Sequence, residues 1–282
     1  MSIRSECLQA DLRISISRLC RLLEVPRSTF YYQPRSRKPT KLNPELECRI
    51  RPIIERFPTF GIRRVWAWLR YREDFPVNRK AVARLMRIKG WTVHKRRKGG
   101  RPRVASNSIA PKPDYRWATD IASVFCGAKD GWCSFVPVID CCTRELLGWE
   151  LARTARTKTA ERALEEALLN RFGHLHRAPN GLVLRHDNGL VFGSKQYRRL
   201  AAEYGLQQEF ITPYSPEENG LCERFIRSFK EECAWLHRFE SIDQARSTIR
   251  SWVAHYNEER PHQALGYRSP RESFYVFEVS AC

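Results

Sequence analysis

The sequence predicts an α/β protein: a mixed-sheet domain in its second half, preceded by small all-α segments. Three observations carry that prediction. Through residue 91 the apolar residues recur at helical spacing, with no strand-like run. Beyond Asp114 short apolar runs bounded by turn residues take over. Three come in succession and the rest alternate with helical stretches, the order of a layered α/β domain. The charge changes at the same place: residues 1–110 hold 27 Lys and Arg against 8 Asp and Glu, and residues 111–282 hold 23 of each.

In chain order, Ile14, Ile16, Leu19, Cys20, Leu22 and Leu23 make a first periodic stretch. Glu24-Val25-Pro26 breaks it, and a second short helix follows over residues 27–32. The spacing fits a helix-turn-helix and equally a plain helical hairpin. Residues 35–40 read as a basic linker, which closes a first segment over 1–40. Pro44 suits the first turn of a helix over 45–57, with Leu46, Ile50, Ile53 and Ile54 on one face. Phe60-Gly61 turns into a helix over 62–71 that carries Val65, Trp66 and Leu69 inward. Asn78 caps a third helix over 79–89, with Val82, Leu85 and Met86 inward. The polar faces of the last two helices carry Arg63, Arg64, Arg79, Lys80 and further arginines, a face of one sign. Residues 41–91 therefore read as a helical DNA-binding domain. Residues 92–113 are basic and rich in Gly, Pro and Ser, a linker whose Lys95, Arg96, Arg97 and Lys98 can track phosphates.

Residues 114–282 form the α/β domain. Strands are expected over 115–125, 132–140 and 145–152, with a hairpin turn at 128–131. A helix over 157–171 and a short buried strand over 181–185 come next. Ser194 caps a helix running to 204, a fifth strand covers 207–211, and helices over 220–236 and 242–255 complete the domain.

Composition narrows the function. With 282 residues, a net charge of +19 and 42% apolar residues, the chain is a globular protein with an outsized affinity for polyanions. No apolar run approaches the roughly 20 residues that span a bilayer, and the first fifteen residues lack the core of a secretion signal. No Lys-and-aromatic amphipathic helix speaks for a membrane surface, so nucleic acid is the expected polyanion. The ten cysteines are scattered, without any C-x-x-C pair or following His pair, which excludes a zinc finger and points to reduced thiols in the cytoplasm.

The chemistry lies in three acids. Asp120 sits inside the first strand, flanked by Trp117, Ile121 and Val124, where a lone charge is costly unless a cation pairs with it. Asp187 follows the fourth strand in His186-Asp187-Asn188-Gly189, and Gly189 is expected to permit the sharp turn there. Glu223 stands on the first turns of a helix, 36 positions beyond Asp187, with Arg227 and Lys230 four and seven positions further along the same face. Seven residues span roughly 10 Å of helix, which suits a phosphate near the acids. Asp140 is a rival carboxylate and reads as a turn residue.

The text around these acids resembles a known family. Trp117-Ala118-Thr119-Asp120, Asp187-Asn188-Gly189, and the stretch from Ser215-Pro216 through Asn219-Gly220 and Glu223 to Lys230 are similar to the OrfB-type transposases of bacterial insertion sequences. The tail from His255 through Arg260-Pro261-His262 to Pro270 and the segment Phe60-Gly61-Ile62-Arg63-Arg64 resemble the same family, so the likeness covers about residues 15–275. It implies an RNase H-like, retroviral-integrase-like catalytic core preceded by small all-α DNA-binding domains. It further implies a triad of Asp120, Asp187 and Glu223 as catalytic and metal-binding acids, with Asn219, Arg227 and Lys230 toward DNA. Mg²⁺ is the implied cofactor, with Mn²⁺ able to substitute. The implied reaction is nicking at element ends and joining of the 3′-hydroxyl to target DNA. The implied partners are terminal inverted repeats, target DNA, a second copy or more, and an upstream-frame DNA-binding protein or fusion. The setting is bacterial, cytoplasmic and nucleoid-associated. A metal-dependent nuclease on the same fold and a catalytically inactive DNA-binding regulator are the alternatives. Three departures stand out: Arg185 and His186 where the family has His and Ser, and Pro137 within a strand.

Overall fold

The computed structural model describes residues 15–32, 42–93, 109–176, 178–212 and 215–281. Residues 1–43 and 44–282 form two compact units. In the first, α1 (Ile16–Leu22) and α2 (Arg27–Phe30) flank the predicted break, and the Ser15 hydroxyl caps α1 by accepting from the Arg18 amide. Lys95, Arg96, Arg97 and Lys98 lie outside the described residues.

The second unit opens with α3 (Pro44–Arg56), α4 (Ile62–Tyr71) and α5 (Arg79–Ile88). They close on a small core of Leu46, Ile50, Ile53, Phe60, Val65, Leu69, Val82, Leu85 and Met86. Asn78 caps α5 as expected, its side chain accepting from the Lys80 amide at 2.8 Å.

The sheet is built from β1 (Arg116–Thr119), β2 (Ala122–Phe125), β3 (Trp132–Asp140), β4 (Leu146–Ala152), β5 (Val183–His186) and β6 (Gln207–Phe210). β3 is its spine. β4 pairs with one edge of β3, while β1 and β2 lie end to end along the other, all antiparallel. β1 then pairs parallel with β5, and β5 parallel with β6. Alternation along the strands sends side chains to two faces. One face buries Ala118, Phe135 and Ile139 against α9 (Gly220–Phe229) and α10 (Ile242–Glu258), through Cys222, Phe225, Phe229, Ile249, Trp252 and Tyr256. The other buries Trp117, Val136, Val138 and Leu184 under α6 (Thr157–Phe172), α7 (Leu190–Gly193) and α8 (Lys195–Glu203).

Three expectations are corrected. The single strand expected over 115–125 is two strands, parted at Asp120 and Ile121. The register that pairs Thr119 with Val138 and Ala122 with Phe135 sets Asp120 across from Pro137. The Trp149 amide, opposite Pro137 on the other side, bonds the Glu166 carboxylate at 2.6 Å instead of β3, so the hydrogen-bonding edge of Pro137 faces Asp120. A proline has no N–H to give there, and the ladder opens. The helix expected over 220–236 ends at Phe229 and widens into a π-helical turn, Lys230–Ala234, in which the Trp235 amide reaches back five residues to the Lys230 carbonyl. Finally, a helix that periodicity did not single out, α11 (Pro270–Ala281), closes the chain.

Gly148 on β4 shows how tightly α6 lies on the sheet: a Cβ there would fall 2.4 Å from the Ala167 nitrogen and 2.5 Å from the Ala163 carbonyl. Backbone cannot yield as a side chain does. Gly148→Ala should therefore destabilise the chain by about 2–3 kcal/mol, a Tm drop of several degrees in a thermal melt.

Candidate active site

Two of the three acids are placed by one strand pairing. β1 and β5 run parallel with Arg116 opposite Val183, Trp117 opposite Leu184 and Ala118 opposite Arg185. Carried two residues past the strand ends, the same register sets Asp120 beside Asp187, on neighbouring strands about 4.8 Å apart. Both follow the alternation of Ala118 and Arg185, so both lie on the face that α9 covers.

The third acid arrives by a loop that is fastened to both strands. Arg185 is buried, 4% exposed, and lies in register with Glu209 on β6. Its guanidinium meets that carboxylate through two bonds of 2.9 Å, and Arg116 adds a third at 2.9 Å. The remaining edge of Arg185 donates to the Glu218 carbonyl at 2.6 Å. The Glu218 carboxylate in turn accepts from the Thr212 amide at 2.8 Å and its hydroxyl at 3.0 Å, closing the loop on itself. One residue on, Asn219 donates to the Thr119 carbonyl at 3.4 Å, at the end of β1. Helix α9 thus starts pinned to β5 through Arg185 and to β1 through Asn219, with Glu223 one turn in.

The acids share one electrostatic neighbourhood. Burial pushes the Asp120 carboxyl up to about 6, helped by the like charges of Asp187 and Glu223 and opposed by the Ile121 amide and Lys230. Asp120 accepts from the Ile121 amide at 2.7 Å and Asp187 from the Gly189 amide at 3.0 Å. Each strand acid therefore rests on an amide of its own turn. Among the described residues no three His, Cys, Asp or Glu side chains are gathered into a ready metal cage. Three like charges repel, and these are near enough to feel one another without being drawn together.

His186 is a positioning residue. It is fully buried, stacked on Phe192 and edge-on to Phe210. The Gln208 amide nitrogen reaches its Nε2 at 3.0 Å, so Nδ1 carries the proton and donates to the Asp187 carbonyl at 2.8 Å. Burial lowers its pKa, which keeps the ring neutral at pH 7. Gly189 is not needed for the sharp turn expected above, since its φ of −62° is ordinary; but a Cβ would stand 2.8 Å from the Asp187 Oδ1. Asp140 is the turn residue expected, buried and accepting from the amides of Asp114, Cys142 and Thr143 at 2.7–2.8 Å.

The basic residues divide. Arg227, Arg79 and Lys80 are exposed, as is the acid Glu223, and Lys230 is half-buried on α9's extension. Asn219, expected toward DNA, is 3% exposed and holds the helix start instead. Arg63 and Arg64, also expected toward DNA, take part in contacts with the α/β core: exposed Arg63 donates to Gln263 at 2.7 Å, and half-buried Arg64 pairs with the buried Glu232 at 2.9 Å. Only the fold reveals this, because the partners lie 200 residues away in sequence for Arg63 and 168 for Arg64. The Arg185 clamp was also missed, though a buried arginine on a short strand is a signal that an acid must stand in register with it.

The chain is similar to known proteins along most of its length. A family model described as an HTH-like domain matches residues 41–99, and two described as integrase core domain match residues 110–216 and 204–270. Among solved structures, the catalytic core of BIV integrase has a TM-score of 0.44 and 18% identity, covering 60% of this chain and 98% of that one. The HTLV-2 integrase core in complex with magnesium gives 0.42 and 13%, covering 58% and 98%. The sheet order and the matched core models define an integrase-core protein with an RNase H-like fold. More narrowly, Transposase InsD of insertion element IS2 from Escherichia coli, in its IS2A/D/F/H/I/K and F-plasmid copies alike, is 32% identical over 235 residues, 79% of this chain and 76% of that protein. The chain belongs to this family of insertion-element transposases.

Two outcomes test the site. Asp120 is held above its unfolded pKa of 3.8, so its ionisation costs the folded state free energy above about pH 6, and that cost vanishes as pH falls toward 4. Asp120→Asn, melted in EDTA, should be more stable than the parent by on the order of 2 kcal/mol at pH 7.5 and equal to it near pH 4. Gly189→Ala should displace the Asp187 carboxylate and cut DNA strand transfer about tenfold or more with a Tm change of only a few degrees.

Proposed function

We propose that the chain nicks DNA at the ends of an insertion element and joins each freed 3′-hydroxyl to target DNA. The observation that supports this reading is the parallel β1–β5 register, which, continued past the strand ends, brings Asp120 toward Asp187 on the sheet face covered by the helix of Glu223. Membership of a transposase family supports it independently.

The donor set fits divalent metal. Three carboxylates are an all-oxygen set suited to Mg²⁺, with Mn²⁺ as a substitute, and the raised Asp120 carboxyl marks charge that a cation would neutralise. Asp120, Asp187 and Glu223 would hold such ions, which when bound activate the attacking oxygen and stabilise the leaving one.

The chain's own residues supply placement and charge. Arg185 and Asn219 fix the start of α9, and His186 fixes the Asp187 peptide, so the acids face substrate from a rigid frame. Lys230, whose charge already reaches Asp120, binds a backbone phosphate close to the reacting one, and Arg227 binds another along the same face. Arg79 and Lys80 on α5 extend the contact, as do Lys95, Arg96, Arg97 and Lys98 of the linker. No side chain is the nucleophile in this scheme. Water attacks phosphorus in the first step and the 3′-hydroxyl oxygen in the second; each time one P–O bond forms, one breaks, and the leaving oxygen takes a proton. Two ends must be joined together, so the active form contains at least two copies of the chain.

Asp120→Asn, Asp187→Asn and Glu223→Gln should each lower cleavage and joining of a labelled element end by about a thousandfold or more while leaving DNA affinity within about twofold. Undiminished cleavage by these variants would overturn the assignment. Parent protein that cleaves without joining would make it a nuclease, and parent protein that binds without cleaving would make it a regulator.

A further inference from the structure

Helix α9 is fastened at its start by Arg185 and Asn219, and its far end is fastened too, by ion pairs. Glu232 lies in the π-helical turn that continues α9, nine residues beyond Glu223, with its side chain 7% exposed. Arg260, just past α10, grips the carboxylate from one side: its Nε and Nη2 each donate at 2.7 Å, one to either oxygen. Arg64 of α4 reaches Oε1 at 2.9 Å. Arg260 is itself buried, its guanidinium 5.4 Å from the Tyr256 ring centre and 2.9 Å from the His262 Nε2. The helical domain touches the rest of the unit elsewhere as well. Arg56 pairs with Glu259, Arg63 with Gln263 and Arg72 with Glu272, and Phe57 stacks on His255. Those four partners all lie between residues 255 and 272, so of the five contacts only that of Arg64 reaches the helix carrying Glu223.

Stability does not account for this arrangement. Taking charged groups out of water is costly, and apolar residues of like volume would hold the place at least as well. What a buried fork adds is direction. The apolar stripe of α9, Cys222, Phe225 and Phe229, decides which face lies on the sheet. Apolar contact is non-directional and resists a roll of the helix about its own axis only weakly. Two parallel N–H···O bonds to one carboxylate fix an angle. Roll matters for the third acid. At a radius of roughly 5–6 Å, about 10° of roll moves the Glu223 carboxylate about 1 Å. A misplacement of that size costs up to about a hundredfold in rate.

We propose that Arg64 and Glu232 are positioning residues for Glu223: through this ion pair the helical domain locks the roll of α9 and so completes the active site. The inference rests on the chain cleaving DNA with Asp120, Asp187 and Glu223, as argued above. Arg260 supplies the constant half of the lock, since it and Glu232 both belong to the core. Arg64 supplies the half that depends on the helical domain being in place. Seating of that domain and alignment of the third acid are then one event.

Arg64 carries the test. Removing Glu232 or Arg260 singly would leave a lone buried charge and endanger the fold, whereas without Arg64 the other two still neutralise each other. Single-turnover cleavage of a labelled element end by the full chain is measured in saturating Mg²⁺ over a range of DNA concentrations. Hydrogen exchange of residues 220–230 is measured separately, in EDTA and without DNA. Arg64→Gln should lower the rate at saturating DNA about tenfold and leave the half-saturating DNA concentration within about twofold. It should also speed exchange in 220–230 about tenfold, and Arg64→Lys should recover most of the rate. Arg56→Gln loosens the same domain from Glu259 without touching α9, and should keep the parent's rate and exchange. An equal loss of rate in Arg64→Gln and Arg56→Gln would make Arg64 a mere fastening of the domain. A raised half-saturating DNA concentration with an unchanged saturated rate would make it a DNA contact. Either result overturns the proposal, as does unaltered exchange in 220–230. A parent chain that binds DNA and never cleaves it fails differently: it overturns the function assigned above, and the positioning role with it.

Discussion

The parallel pairing of β1 with β5 is the constraint on which the rest of the molecule depends. It brings together the strand ends after which two acids 67 residues apart follow, Asp120 beyond β1 and Asp187 beyond β5. The surrounding contacts preserve that match. Arg185, buried between Glu209 and the Glu218 carbonyl, joins β5 to β6 and to the loop before α9 in a single side chain. Removing Glu209, itself part-exposed, would leave the buried Arg185 charge without its carboxylate, so the clamp specifies its loop geometry more firmly than neutral contacts could. Pro137 does the complementary work: by withholding an N–H it ends β1 and β2 at the residues where a carboxylate is needed.

Much of this was legible in the sequence because it is local. Helix faces at α3, α4 and α5, the Asn78 and Ser194 caps, the extent of β3, and the turn around Asp140 all follow from periodicity and short-range hydrogen bonding. The positions of Asp187 after its strand and of Glu223 on the first turns of its helix were legible for the same reason, whereas Asp120, expected inside one strand, stands where two strands part. What could not be read is non-local. That Asp120 sits opposite Pro137, that Arg185 needs Glu209, and that Asn219 turns inward to Thr119 are all facts about register. Periodicity is blind to register between distant strands. The Gly189 case is instructive: the residue was singled out for its freedom of rotation, and its use is the space it leaves for a carboxylate.

The basic face of the helical domain teaches a related lesson. Charge of one sign along helices reads as a nucleic-acid surface, and Arg79 and Lys80 are exposed as that reading expects. Part of the same face serves the protein itself. Arg56 holds Glu259 at 2.9 and 3.2 Å, Arg72 pairs with Glu272 at 2.6 Å, Phe57 stacks on His255 at 4.3 Å, and Arg63 and Arg64 reach Gln263 and Glu232. The signature-like tail from His255 to Pro270 is therefore the surface on which the helical domain sits, as much as an extension of the catalytic core.

That arrangement imposes an order on synthesis. The helices of residues 44–88 leave the ribosome well before the residues they lean on, which lie between 255 and 272. Until those later residues emerge, a nascent chain carries Arg56, Arg63 and Arg72 without these partners and its Phe57 ring without His255. Tail and helical domain then close together, so a product cut short before residue 255 would keep its basic helices but never seat them.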